Sequence, residues 1–124
     1  MPAQILKLWQ IYLDNVNPLL KVTHTPSLQP RIIEAAGNFT DIDPVLEALI
    51  FSIYCVSILS LPENDCMAMF GSSKQHLLPK FQFGCQQALL NCGFLRHNDR
   101  DCLTALYLYL VSISQDQIDT RQQP

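Results

Sequence analysis

The stretch DPVLEALIFSIYCVSILSL, residues 43–61, decides the fold class of this 124-residue chain. Asp43 suits a helix N-cap, because its short carboxylate can accept from the free N–H groups of a first turn. Pro44 suits the first helical position, where a missing N–H costs nothing. From Val45 to Leu61 the only charge is Glu47. A helix that is apolar all round lies at the centre of a packed domain or in a membrane. The run of about 17 residues is at the lower limit for crossing a bilayer. Glu47 and the serines at 52, 57 and 60 weigh further against a span. The stretch therefore reads as the central helix of a core, with a small helical membrane-associated protein built on residues 45–61 as the alternative.

Working towards the C-terminus, Ser60-Leu61-Pro62-Glu63 matches a capping box and predicts a short helix. FGSSK (70–74) breaks it. Leu77, Leu78, Phe81, Cys85, Leu89 and Cys92 then share one face of a longer helix, with Pro79 in its first turn or kinking it. Gly93 suits its stop. Asn98 reads as the next N-cap, and Asp99 and Asp101 suit a helix N-terminus. The last helix is expected from Asp99 to Ser114, densely apolar over 103–113. SQDQIDTRQQP (114–124) reads as a polar tail that frays.

Towards the N-terminus, Ile5, Leu8, Trp9, Tyr12, Val16 and Leu19 recur at helical spacing. Pro18 should end that helix near Asn15 or kink it there. Thr25 before Pro26 is expected to be extended. Pro30–Ala36 reads as a short helix with Pro30 in its first turn and Gly37 as its stop, and GNFTDID (37–43) as a loop. No stretch alternates with period two and no hairpin turn appears. The expected fold is all-α, an irregular bundle of five or six helices over residues 1–118 with a polar tail at 119–124.

Nothing in the chain spells out a catalytic, cofactor, metal or DNA-binding site, and no residue is assigned to one. His24, His76 and His97 lack a second histidine at i+4, so no zinc-on-a-helix pair of histidines appears. There is no G-x-S-x-G, P-loop or G-x-G-x-x-G, and Gly71 reads as a helix stop. Asp41, Asp43, Glu63, Asp65, Asp99 and Asp101 cluster at predicted helix starts, where capping explains them better than acid–base work. Cys85 and Cys92 on one apolar face read as core. The five cysteines, 55, 66, 85, 92 and 102, are odd in number and follow no secretory signal, which points to buried thiols in a reducing compartment. Asn38-Phe39-Thr40 matches a glycosylation pattern by chance. Trp9 and Tyr12 read as inward-packing aromatics. Tyr107 and Tyr109 cannot face the same way on a helix, so one of them lies near a surface. An enzyme with a site assembled across several helices leaves no local trace to set against this reading.

The net charge is −3, and the eight Lys and Arg residues are scattered. No basic run could neutralise several phosphates together, so specific DNA binding by this chain is not expected unless folding gathers those charges.

Four pieces in this order resemble the fungal-specific transcription factor domain, the middle homology region of zinc binuclear-cluster regulators. LWQIYLDNVNPLLKVTHTPSL (8–28) resembles its opening aromatic helix and proline-and-histidine connector. DPVLEALIFSIYCVSILSL resembles its central apolar helix. Cys66 followed by FGSSKQHLLPKFQFGCQQALLNCGFLRHNDRDCLTALYLYL (70–110) is similar to its next two helices. The likeness runs from about Leu6 to Ile118. Members carry a six-cysteine zinc cluster near the N-terminus, and their helical domain continues further. Here Met1 precedes the domain directly, no cysteine pair has the C-x-x-C spacing, and Pro79 stands where a helix former is usual. The resemblance implies a non-catalytic regulatory module of transcription, truncated relative to its family, in a metabolic or secondary-metabolite pathway. It implies a location in the nucleus or cytoplasm; no cofactor is expected, and no zinc, because no ligand quartet has zinc spacing. Two very apolar helices in a chain with only 15% charged residues should leave an apolar helix face for a protein partner or a second copy.

Overall fold

The computed structural model describes residues 2–93 and 99–122. Its helices are α1 (Pro2–Ile11), α2 (Asn17–Leu20), α3 (Thr25–Gly37), α4 (Pro44–Ser60), α5 (Glu63–Phe70), α6 (Lys74–Cys92) and α7 (Arg100–Gln122). A π-helical turn, Tyr12–Val16, joins α1 to α2, so the two form one continuous rod. A 3₁₀ turn, Phe39–Asp41, precedes α4. The fold is all-α, as the sequence indicates, and the described residues contain no strand.

α4 is the axis. Asp43 Oδ2 accepts from the Leu46 N–H at 3.2 Å and Pro44 occupies the first turn, so the helix starts as its sequence dictates. Buried side chains point in every direction from it, including Leu49, Ile53, Cys55 and Ile58. α6 and α7 cover it most extensively, and α1 and the π-turn close the remainder. None of the described helices is long and apolar enough to cross a membrane.

Small residues let the helices approach. Ala48, Ser52, Cys55 and Ser57 on α4 are fully buried. Ser52 Oγ donates to the Leu49 carbonyl at 2.7 Å, and Ser57 Oγ to the Leu8 carbonyl at 3.2 Å, so neither hydroxyl is stranded in the core. The Phe51 ring lies over Gly84 of α6, where a Cβ would stand 2.6 Å from the ring edge. Tyr54, Phe51 and Phe81 form an aromatic cluster with ring centroids 5.1–5.8 Å apart. The Tyr54 hydroxyl is buried there without a hydrogen-bond partner, and burial pushes its ionisation well above the usual phenol range. Tyr54→Phe is therefore expected to stabilise the chain by about 1 kcal/mol, the cost of an unsatisfied polar group. A lower unfolding midpoint in urea would show that the hydroxyl has a partner.

Lys74 ties three elements together. Its Nζ donates to the carbonyls of Leu59 and Leu61, at 2.6 and 3.0 Å, closing the C-terminal end of α4. Its N–H meets Glu63 Oε1 at 2.9 Å. This replaces the capping box expected at Ser60. Ser60 Oγ turns back to the Ser57 carbonyl, and α5 begins after Pro62 with no side-chain cap. Gly71 and Gly93 both take positive φ and end their helices, as expected of glycine. Ser73, which the sequence reading passed over, caps α6 through the His76 N–H at 3.1 Å.

Four further expectations need correction. Pro18, expected to end the first helix near Asn15 or kink it there, does not end it. The π-turn widens the backbone, Asn17 N–H bonds to the Tyr12 carbonyl, and Pro18 falls in the first turn of α2. The extra residue in that turn shifts the stripe, so Leu20 packs on the core and Leu19 is 82% exposed. Thr25-Pro26 is not extended but opens α3. His24 holds the extended cap geometry and the Ser27 hydroxyl bonds its carbonyl at 3.1 Å. Pro30 thus lies inside α3, where its missing N–H leaves one early carbonyl without its helical donor. Finally, α7 continues to Gln122 instead of stopping at Ser114. Residues 115–122 hold no proline or glycine to break it. The N-cap expected at Asn98 lies outside the described residues; Asp99 Oδ1 accepts from the Asp101 N–H at 2.7 Å.

Candidate functional site

The connector after α2 is held by an unusual backbone. Lys21 takes the left-handed conformation, φ 50°, and its N–H bonds the Asn17 carbonyl at 2.9 Å. It is the sole non-glycine residue with positive φ among the described residues. Such strain persists where surrounding contacts impose it. Here they come from Thr23, whose hydroxyl meets Tyr12 Oη at 2.9 Å and Asn17 Oδ1 at 3.3 Å. Tyr12 is fully buried and stacks on Trp9, centroids 5.5 Å apart. Trp9 Nε1 donates to Gln29 Oε1 of α3 at 3.0 Å. The two aromatics do pack inward, and their polar edges pin the connector and α3.

The connector, α3, α4 and the start of α7 enclose a cavity of about 320 Å³ that opens to solvent. Val22, Leu28 and Leu49 supply its apolar surface, and Thr23, Ser27 and Thr104 bring hydroxyls. Lys21, Arg31 and Arg100 also line it, against one carboxylate, Asp101. Arg31 Nη1 and Asp101 Oδ2 form an ion pair at 2.8 Å. Folding has thus gathered three of the scattered cations, from positions up to 79 residues apart. Others serve the scaffold: Lys7 donates to the Met69 carbonyl and lies over the Phe70 ring.

The remaining candidates resolve into structure. His24 Nδ1 pairs with Ser27 Oγ at 3.0 Å, and His97 lies outside the described residues. All five cysteines are buried free thiols. The Cys55 thiol sits against the Cys85 thiol, and Cys92 Sγ stands 3.6 Å from Cys102 Sγ. Burial, reinforced by the Cys92 thiol, pushes Cys102 up to about 12; the Cys85 contact and burial push Cys55 well above the thiol range. At neutral pH these groups are protonated and poor nucleophiles. Cys66 is fully buried as well, although the polar Asn64 and Asp65 precede it. Among the described residues, no group of three or more His, Cys, Asp or Glu is placed to hold a metal.

A second feature is an uncovered apolar face. α6 and α7 run antiparallel, as the contacts Cys92–Cys102 and Gln86 Nε2–Tyr109 Oη (2.9 Å) show. Phe83 and Leu90 flank Gln86 on α6, and Leu103, Tyr107 and Leu110 share one side of α7. These five side chains keep 46–63% of their surface in solvent, whereas Tyr109 is buried.

Comparison with known proteins gives this arrangement a context. The chain is 66% identical over 114 residues to the transcriptional regulator AacuB of Aspergillus aculeatus, covering 92% of this chain and 16% of that protein. It is 40% identical over 112 residues to the pyriculol/pyriculariol biosynthesis cluster transcription factor 1 of Pyricularia oryzae, covering 90% and 15%. It is 32% identical over 113 residues to the C6 finger domain transcription factor adaR of Aspergillus niger, covering 90% and 14%. The chain thus spans about one-sixth of the length of these relatives. No protein-family model matches it, and no solved structure does.

Proposed function

We propose that this chain, whose homologues are fungal zinc-cluster transcription factors, is a non-catalytic regulatory segment acting in the nucleus on a biosynthetic gene cluster. The observation that carries this reading is the 66% identity over 92% of the chain to a single segment of a transcriptional regulator. The name of the Pyricularia relative, a cluster transcription factor, supports the pathway type. The buried free thiols, and the Asp43 and Asp99 carboxylates that cap their helix starts, fit a structural role better than a catalytic one.

The α6/α7 face supplies the contact through which such a segment acts. Its occupant is the remainder of a regulator chain of this family. About five-sixths of each relative lies outside the matched segment, and an apolar two-helix face suits permanent cover by another helical surface.

A chimera tests both statements. Replacing the matched segment of the Aspergillus aculeatus regulator with this chain should leave transcription from a reporter under that regulator's control largely intact. The same chimera carrying Leu103→Asp and Leu110→Asp should lose most of it, while the isolated double variant still unfolds cooperatively. An inactive but normally abundant nuclear chimera would overturn the functional reading. An active double-aspartate chimera would overturn the docking face, and dimerisation of the isolated chain through that face would make a second copy the occupant.

A further inference from the structure

We propose that the cavity between the connector, α3 and the start of α7 binds a small organic anion, a carboxylate or phosphate ester with an apolar body. The argument begins with charge. The protein carries a net −3, yet this cavity is lined by three cations and one carboxylate. Like charges are gathered against their mutual repulsion, a cost that a bound anion would relieve.

The donors are arranged for recognition. Asp101 engages a single nitrogen of Arg31 at 2.8 Å, which fixes the guanidinium while four of its five N–H donors remain for other partners. Arg100 and Lys21 make no ion pair among the described residues. The first turns of both α3 and α7 line the cavity, and the positive ends of two helix dipoles add to the side-chain charge.

The remaining surface selects size and body. A volume of about 320 Å³ lies at the small end of ligand pockets. Val22, Leu28 and Leu49 give the apolar surface that an inorganic ion would leave unused. Three cations in a concave site suit one anionic group, whereas a nucleic-acid strand presents a row of phosphates. The left-handed Lys21 and the Tyr12–Thr23 bond hold the connector wall in place, so little ordering is left for binding to impose.

Amide NMR titration of the whole chain with phenylacetate, phenyl phosphate and the neutral phenylacetamide tests the assignment. Saturable shifts confined to residues 21–31 and 99–104 are expected with at least one of the two anions, and the better binder identifies the anionic group. The neutral amide should bind at least tenfold more weakly. Lys21 and Arg100 are exposed, so the variant K21Q/R100Q should keep its amide spectrum elsewhere and bind the anion at least fivefold more weakly. Absence of saturable shifts with both anions, equal binding of the neutral amide, or undiminished binding by the double variant would each overturn the proposal.

Discussion

A Tyr12→Ala chain is expected to melt about 10–20 °C below the parent, a loss of roughly 3–5 kcal/mol. Tyr12 is the largest of the fully buried side chains. Its removal empties the space between Trp9, the connector and α4, and the stack on Trp9 at 5.5 Å is lost with it. The deletion also strips Thr23 of a 2.9 Å hydrogen bond. Net stability of a domain this size is on the order of 5–15 kcal/mol, so this one change removes a large fraction of it. Tyr12→Phe separates the two contributions. It keeps the ring and costs only about 1 kcal/mol, because the Thr23 hydroxyl still reaches Asn17. Thermal melting of both variants checks the pair. A loss of under 3 °C for Tyr12→Ala would mean that the N-terminal rod is not docked as described.

Overpacking the axis should be the second large effect. Ala48→Leu places an isobutyl group where α4 has no exposed surface and where α6 approaches closely enough for Cys85 Sγ to stand 3.9 Å from the Ala48 carbonyl. Interiors packed to crystal-like density accept such a group only by moving helices apart, at about 1–3 kcal/mol. The melting temperature should fall by roughly 5–15 °C at this chain length. A helix surrounded by lipid would respond in the opposite sense, since leucine favours a bilayer more than alanine. Unchanged melting after Ala48→Leu would contradict the enclosure of α4 by α6 and α7.

The contrast between what was legible and what was not follows sequence distance. α4 is readable because its cap, its first proline and its apolar run are contiguous. Gly71 and Gly93 are readable because a helix stop is a one-residue matter. The inward side of Trp9 and Tyr12 follows from spacing alone, and so does the split between Tyr107, which is exposed, and Tyr109, which is buried. The capping box at Ser60 misleads because the Glu63 carboxylate accepts from the Lys74 N–H, 11 residues on, and the Ser60 hydroxyl turns back to the Ser57 carbonyl. Pro26 and Pro30 mislead because proline reads as a breaker until the helix start upstream is known. The cavity is not legible at all. Lys21, Arg31 and Arg100 belong to three elements, and their convergence depends on how α3 and α7 lie against α4. The one local trace, the proline-and-histidine connector, marks a fixed path without saying what the path encloses.

The wide turn at Tyr12–Val16 also sets a rule for splicing this segment into another protein. Each residue of an α-helix advances the side-chain direction by about 100°. A deletion that restores ordinary helix there would swing Leu20 and every following residue of the rod out of phase with the core. Lys21 tolerates a junction better, because its left-handed backbone has already ended the helix. A cassette boundary placed after Leu20 keeps the phase of the rod intact, whereas one placed between 12 and 16 is an all-or-none matter of a single codon.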